Sequence, residues 1–205
     1  MHVRLVLIAL LMVVVGACAV PQDRGGQAAP APTTTTTTTA APATTADADA
    51  GAAERAQAPR PPGIQAPASR KPAPPLRVTA FDGRTVTLVG WRGRPVVVSF
   101  FESWCPICQV EQPDLSRVAD EFAGRVGFVG VSNHDTVAAG RAYQRRFRVG
   151  YPLANDASGR TWARWRVPYQ PVTVLVDKQG RIAERFDGGT TGGTLRVHLA
   201  YLVDE

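Results

Sequence analysis

The sequence is short of metal ligands. It holds three cysteines, Cys18, Cys105 and Cys108, and three histidines, His2, His134 and His198. Only one pair of cysteines is close in sequence, in Trp104-Cys105-Pro106-Ile107-Cys108. A C-x-x-C pair can be half of a zinc site, a structural disulfide or a redox couple. Zinc needs two more ligands, as a second C-x-x-C or as spaced histidines, and neither pattern is present. A disulfide across two intervening residues closes too short a loop to stabilise much. Redox chemistry is the reading these absences favour, and it needs no metal and no dissociable cofactor.

Other absences narrow the class further. The apolar run over residues 5–15 is shorter than the roughly 20 residues that cross a bilayer comfortably. The net charge is +6, but the arginines are scattered and no basic block or nucleic-acid motif occurs, so no nucleic-acid partner is expected. Residues 21–75 have few large apolar side chains and cannot build a core.

What is present begins with an export signal. Residues 1–17 pair a small positive region at Arg4 with a short apolar stretch. The stretch ends in Val15-Gly16-Ala17-Cys18, which resembles the bacterial lipobox. That resemblance implies cleavage before Cys18 and a lipid anchor on its sulfur, with ordinary signal cleavage or an uncleaved anchor as the alternatives. Residues 18–75, rich in Ala, Pro and Thr with a threonine tract at 33–39, read as a disordered tether with a reach of roughly 40 Å as a coil. Residues 76–205 are then the only folded unit, long enough for one substantial core.

Within that unit strand and helix signals alternate. Residues 76–81 and 85–88 read as strands around the turn Asp82-Gly83. Residues 95–101 suit a buried central strand. Residues 105–122 read as an amphipathic helix with Val110, Leu115, Val118, Ala119 and Phe122 on one side and a kink at Pro113. A second buried strand is expected at 126–131, a helix at 136–147 and a short helix at 156–165. A hairpin at 172–176 and 181–186 turns at Lys178-Gln179-Gly180, and a helix over 194–203 closes the chain. This is an α/β layered plan.

The strand before the pair and the helix after it explain how a thiol is activated. Unpaired N–H groups of the first helical turn, with the helix dipole, stabilise a thiolate at Cys105. Cys105 is expected to be the exposed attacking thiol and Cys108, about one turn below, the buried resolving one. Trp104 reads as an apolar contact beside the thiols. Trp91, Trp162 and Trp165 read as core or rim. His134-Asp135 follows a strand and is a weaker crevice candidate. The glycine-rich 188–193 stretch lacks the context of a nucleotide fingerprint and reads as a loop.

The run over 97–113, VVSFFESWCPICQVEQP, resembles the active-site stretch of the TlpA/ResA/DsbE-like thioredoxin family. So do Gly93-Arg94-Pro95, the VGFVGVSN strand, and Pro171-Val172-Thr173-Val174-Leu175-Val176-Asp177 with Gly180 following. The resemblance covers residues 76–204 and implies a thioredoxin-like fold, a central mixed β-sheet flanked by helices. It implies that Gln170 and Pro171 form the cis-proline loop facing the thiols, and that Trp104, Pro106, Gln170 and Pro171 contact substrate. It matches Glu111 to the family's active-site glutamate, a carboxylate that takes a proton from Cys108. Glu102 departs from the pattern, which commonly has a small residue there. Ser99 stands where thioredoxins proper carry a buried acid.

The resemblance implies an extracytoplasmic thiol–disulfide oxidoreductase, lipid-anchored on the outer face of the cell membrane or secreted. Its expected partners are exported cysteine-containing proteins and a membrane redox partner that recycles the pair. The run over 167–171 is similar to an exported branch linked to thiol oxidation, so disulfide formation is favoured. The alternatives are a reductant for cytochrome c maturation, a thiol peroxidase, and a non-enzymatic peptide-binding lipoprotein. Peroxidases use a Thr-x-x-Cys setting, whereas here Glu102-Ser103-Trp104 precedes Cys105.

Overall fold

The computed structural model describes residues 58–205. The export signal, the lipid-anchor candidate Cys18 and the tether up to residue 57 lie outside the described residues. The sheet has seven strands, in spatial order β2-β1-β5-β4-β3-β6-β7. They are β1 (Arg77–Ala80), β2 (Thr85–Thr87), β3 (Val96–Phe100), β4 (Gly127–Ser132), β5 (Leu153–Asn155), β6 (Val172–Val176) and β7 (Ile182–Asp187). β3 pairs in parallel with β4, and β4 with β5, while β6 and β7 run antiparallel to their neighbours. The sheet is mixed, as the resemblance implies.

Four helices flank it: α1 (Pro106–Glu121), α2 (Val137–Arg146), α3 (Arg160–Arg164) and α4 (Gly192–Asp204). Every residue of β3, β4 and β6 is buried, which is why these strands read as continuous apolar runs. Two cores result. Val97, Phe101, Leu115, Val118, Leu195 and Leu199 pack on the face with α1 and α4. Val96, Val98, Phe100, Val174, Trp162 and Trp165 pack on the other. The rings of Trp162 and Trp165 lie 5.7 and 5.6 Å from Phe100, so both tryptophans are core residues.

The local chemistry fixes the ends of these elements. Pro106 opens α1, where its missing N–H costs nothing. The hydroxyls of Thr136 and Thr191 cap α2 and α4 by accepting the N–H groups of Ala139 and Thr194. Gly83 and Gly180 take positive φ in the two expected turns. Gly140 lets α2 lie directly on Phe81, since a β-carbon there would sit 2.1 Å from the ring.

Several details differ from the sequence expectation. α1 runs unbroken through Pro113. Val110 is 81 % exposed, because the buried side of α1 follows Cys108, Glu111, Leu115 and Val118, about 100° away. The short helix begins at Arg160 and not at 156. Asp156 caps it instead, accepting the N–H groups of Thr161 at 2.7 Å and Trp162 at 3.0 Å. β5 was not expected, since three residues are too few to show an alternation.

The largest difference is at the N-terminal boundary, expected at residue 76. The segment from residue 58 to 75 is laid along the edge formed by β7 and α4. Ile64 is buried in the core of the α1–α4 face. The N–H of Gln65 donates to Ala183, and that of Ile182 donates to Lys71. The fully buried guanidinium of Arg70 reaches Asp177 at 3.1 Å and Glu205 at 2.8 Å. A proline-rich strap with a single large apolar residue looks like linker by composition, yet Ile64 and Arg70 are both docked. Ile64→Ala should cost roughly 2–4 kcal/mol in urea unfolding, as at an ordinary core position. A loss under about 0.5 kcal/mol, the range of surface substitutions, would show that the strap adds nothing to the fold.

Candidate active site

The C-terminal ends of β3 and β4 carry the site. Cys105 is the N-cap of α1 with extended φ and ψ of −73° and 118°. Its sulfur accepts the N–H of Cys108 at 3.3 Å, the contact a helix start offers to negative charge on sulfur. Both cysteines are free thiols. Cys105 was expected to be exposed; it is 4 % exposed, against 1 % for Cys108. The capping geometry turns its sulfur inward against the first turn of α1. Burial, then the neighbouring Cys105 sulfur, push the Cys108 thiol far above its ordinary range.

Exposed apolar side chains adjoin the buried pair, Trp104 at 59 % and Ile107 at 56 %, and Tyr169, 51 % exposed, precedes the Gln170–Pro171 bond. Pro106 is also exposed. The Gln170–Pro171 peptide bond is cis. Val172 pairs with Phe100 across β6 and β3, so Pro171 lies at the same end of the sheet as the C-x-x-C turn. Pro171 itself is buried and Gln170 half-buried.

Glu111 lies one turn beyond Cys108 on the buried side of α1, 6 % exposed. Its Oε2 accepts the N–H of Thr190 at 3.1 Å. Its Oε1 is buried with no hydrogen-bond partner among the described residues. Burial pushes its pKa up to about 7, and the Thr190 N–H only partly opposes this. The loop before α4 therefore does more than connect. Gly189 packs so closely on Glu111 and Ile107 that a β-carbon would lie 3.3 Å from each. Nothing in the sequence marks that loop as part of the site.

Glu102 is the second carboxylate, fully buried behind the thiols. It accepts the Ser132 hydroxyl at 2.8 Å and the N–H groups of Asn133 at 3.0 Å and His134 at 3.1 Å. Its backbone carbonyl accepts the N–H of Cys105 at 3.1 Å. Asp135, also buried, accepts the N–H and hydroxyl of Ser103 at 2.9 and 2.6 Å. The His134 ring is mostly exposed, 3.3 Å from Glu102. Thus Asp135, not His134, is the inward member of that pair. Ser99 is buried on β3, opposite Thr173 of β6. From the sequence Glu102 is visible only as a departure; the donors it gathers come from residues 30 or more positions away.

Comparison with known proteins agrees with this geometry. Residues 69–185, more than half of the chain, match the AhpC/TSA family. The chain belongs to that family. The soluble secreted antigen MPT53 of Mycobacterium tuberculosis is 36 % identical over 100 residues, 49 % of this chain and 54 % of that protein. The chain thus spans about half the length of that relative. The thiol-disulfide oxidoreductase ResA of Bacillus cereus is 25 % identical over 130 residues, 63 % of this chain and 75 % of that one. A solved secreted Mycobacterium tuberculosis disulfide oxidoreductase, homologous to E. coli DsbE, superposes with a TM-score of 0.57 at 29 % identity. The match covers 62 % of this chain and 96 % of that one. The sheet and its flanking helices form a thioredoxin-like fold, shared with that solved structure.

The Glu111 environment carries a pH signature in stability. An ordinary glutamate titrates near 4.3. Between about 4.3 and 7 the folded chain holds a proton that the unfolded chain has lost, so stability is greatest below that window and falls as pH rises through it. Glu111→Gln keeps an acceptor for Thr190 and removes the loss. The variant should match wild type near pH 4 and exceed it by roughly 3–4 kcal/mol at pH 8, at 1.36 kcal/mol per pKa unit. Denaturant unfolding across pH checks this; a constant difference from pH 4 to 8 would mean that Glu111 titrates like a solvated carboxyl.

Proposed function

We propose that the chain is an extracytoplasmic thiol–disulfide oxidoreductase acting on cysteine-bearing exported proteins, biased toward disulfide formation. The observation that carries this reading is the unequal thiol pair at the start of α1. The Cys105 sulfur receives a helix-terminal N–H, while burial keeps Cys108 protonated. Two relatives also bear on it. One carries the name thiol-disulfide oxidoreductase, and a solved one is described as a secreted disulfide oxidoreductase. Export through residues 1–17 and lipid attachment at Cys18 belong to the same reading and rest on the sequence alone, as does a membrane partner that recycles the pair.

In the oxidising direction the pair starts as a Cys105–Cys108 disulfide. A client thiolate attacks the sulfur of Cys105, the Cys105–Cys108 bond breaks, and the electron pair leaves on Cys108. That buried sulfur takes a proton, for which the carboxyl of Glu111 is the proposed donor, with a pKa of about 7 close to working pH. A second client thiolate then attacks the client sulfur of the mixed disulfide. The client leaves with a new disulfide and Cys105 leaves as thiolate, so two electrons have passed from client to enzyme. In the reducing direction each step reverses, and Glu111 takes the proton from Cys108 as that thiol resolves the mixed disulfide. The exposed rings of Trp104 and Tyr169, with Pro106 and the Gln170–Pro171 edge, are the proposed seat for the client chain around its cysteine.

Three measurements test this. Cys108→Ser should accumulate mixed disulfides between Cys105 and exported proteins, while Cys105→Ser accumulates none. Trapping through Cys108 in the Cys105→Ser variant would reverse the roles. Glu111→Gln should slow, at least several-fold across pH 5–8, the step in which Cys108 gains or loses its proton, which is the first client attack in the oxidising direction and resolution in the reducing one, and leave the other exchange step unchanged. The reduction potential of the pair decides direction. A value toward about −120 mV, where strong oxidants lie, supports disulfide formation, whereas one near about −270 mV makes the chain a reductant.

A further inference from the structure

A groove of about 600 Å³ lies on the face of the sheet opposite the thiols' helix, between the strap, the segment after α3 and β7. Pro72, Pro74, Trp165, Pro168, Tyr169 and Ile182 give it an apolar lining. Four cations line it, Lys71, Arg164, Arg166 and Arg185, against one carboxylate, Asp187. Asp187 is already paired with Arg185 at 2.8 Å. Arg185 also donates to the carbonyls of Trp165 at 2.9 Å and Arg166 at 3.0 Å. Among the described residues no carboxylate pairs with Lys71, Arg164 or Arg166. Arg166 holds a positive φ of 53°, a conformation that non-glycine residues seldom adopt and that the Arg185 bond to its carbonyl braces.

The groove is more than a charged surface, because it is continuous with the thiol end of the sheet. Its Asp187 end pairs with Val172, directly after the cis Gln170–Pro171 bond, and Tyr169 stands at the junction. From there β7 runs six residues to Ile182, about 20 Å, the reach of five or six residues of extended chain.

We propose that this groove docks an acidic, extended segment of the client polypeptide, some five residues removed from the reacting cysteine. The proposal rests on the thiol–disulfide reading above for what the client is, and on the groove alone for what it recognises. Carboxylates of the segment meet Lys71, Arg164 and Arg166, and its backbone lies along the prolines and the aromatic rings. Charge of this kind selects among clients and speeds their capture more than it adds bulk affinity, and salt weakens it. The groove therefore makes the enzyme prefer clients that carry aspartate or glutamate at that spacing.

The test uses the full chain and three fluorescein-labelled peptides that differ only in a pair of residues at that spacing, Asp-Glu, Ser-Ser or Lys-Lys. Serine replaces their cysteine, so that binding is read apart from chemistry. The acidic peptide should bind at least tenfold more tightly than the neutral one at low salt, and Arg164→Glu with Arg166→Glu should abolish the difference. In cysteine-bearing versions the exchange rate should show the same order, while exchange with dithiothreitol stays equal in wild type and variant. Equal binding of all three peptides, or a preference that survives the double reversal, overturns the proposal. So does charge-sensitive binding to phosphatidylglycerol vesicles without any preference among the peptides, which would make the groove a membrane contact. Absent exchange with dithiothreitol in the wild type would instead sink the redox reading and leave the peptide result standing.

Discussion

The buried carboxylate of Glu102 is the constraint on which the active end depends. It sits just past β3, where the chain leaves the sheet for the C-x-x-C turn. A carboxylate without solvent is costly unless donors surround it, and here Ser132, Asn133 and His134 supply three. Those donors come from the end of β4, the parallel neighbour of β3. The same Ser132 hydroxyl accepts the N–H of Asp135, and Asp135 grips Ser103 by its N–H and hydroxyl. The carbonyl of Ser103 accepts the side-chain amide of Gln109, and that of Glu102 accepts the N–H of Cys105. Two loops that the sheet alone would leave independent are thereby tied together, and the position of Cys105 at the start of α1 follows from that tie.

Two buried glutamates flank the thiols, and their surroundings divide the work between them. Glu102 has donors on both oxygens and a fixed place in a hydrogen-bond lattice, which suits a structural part. Glu111 has one N–H, from Thr190, on one oxygen and none on the other. Burial without full pairing brings its proton within reach at neutral pH. The same residue type thus serves as a clamp in one place and a candidate acid–base group in the other. What separates them is the count of donors, not depth, since both are buried.

Much of the architecture was legible in the sequence because its signals are local. Continuous apolar runs marked β3, β4 and β6, Asp82-Gly83 and Gly180 marked the turns, and Cys105-Pro106 marked the start of α1. The thiol pair and Glu111 were legible for a related reason, since their relation is a matter of spacing along one helix. What stayed hidden depends on distant partners. The strap reads as linker until Ile64 is seen to join the α1–α4 core and Arg70 to meet a carboxylate 107 positions later. The Thr190 loop reads as a connector until Glu111, 79 positions earlier, is seen beneath it. Val110 was misassigned because its apolar side chain counted as core, although its angle around α1 sends it to solvent.

The strap and the α4 loop connect these observations to function. The strap runs beside β7, supplies Lys71, Pro72 and Pro74 to the basic groove, and is bolted at Arg70 to Asp177 and Glu205. The loop after β7 caps Glu111 through Thr190, and its Gly192 N–H reaches Asp114 on α1 at 3.0 Å. Both therefore act on β7, one from each end. A hairpin that looked like an ordinary sheet edge is instead the element between the candidate proton carrier and the candidate docking surface. Nothing in the thiol pair itself discriminates one cysteine-bearing chain from another, because exchange reads only sulfur. On the proposed function, selection has to come from surfaces that a client meets before its sulfur arrives, and among the described residues the edge strand with its strap holds unpaired charge next to exposed aromatic rings.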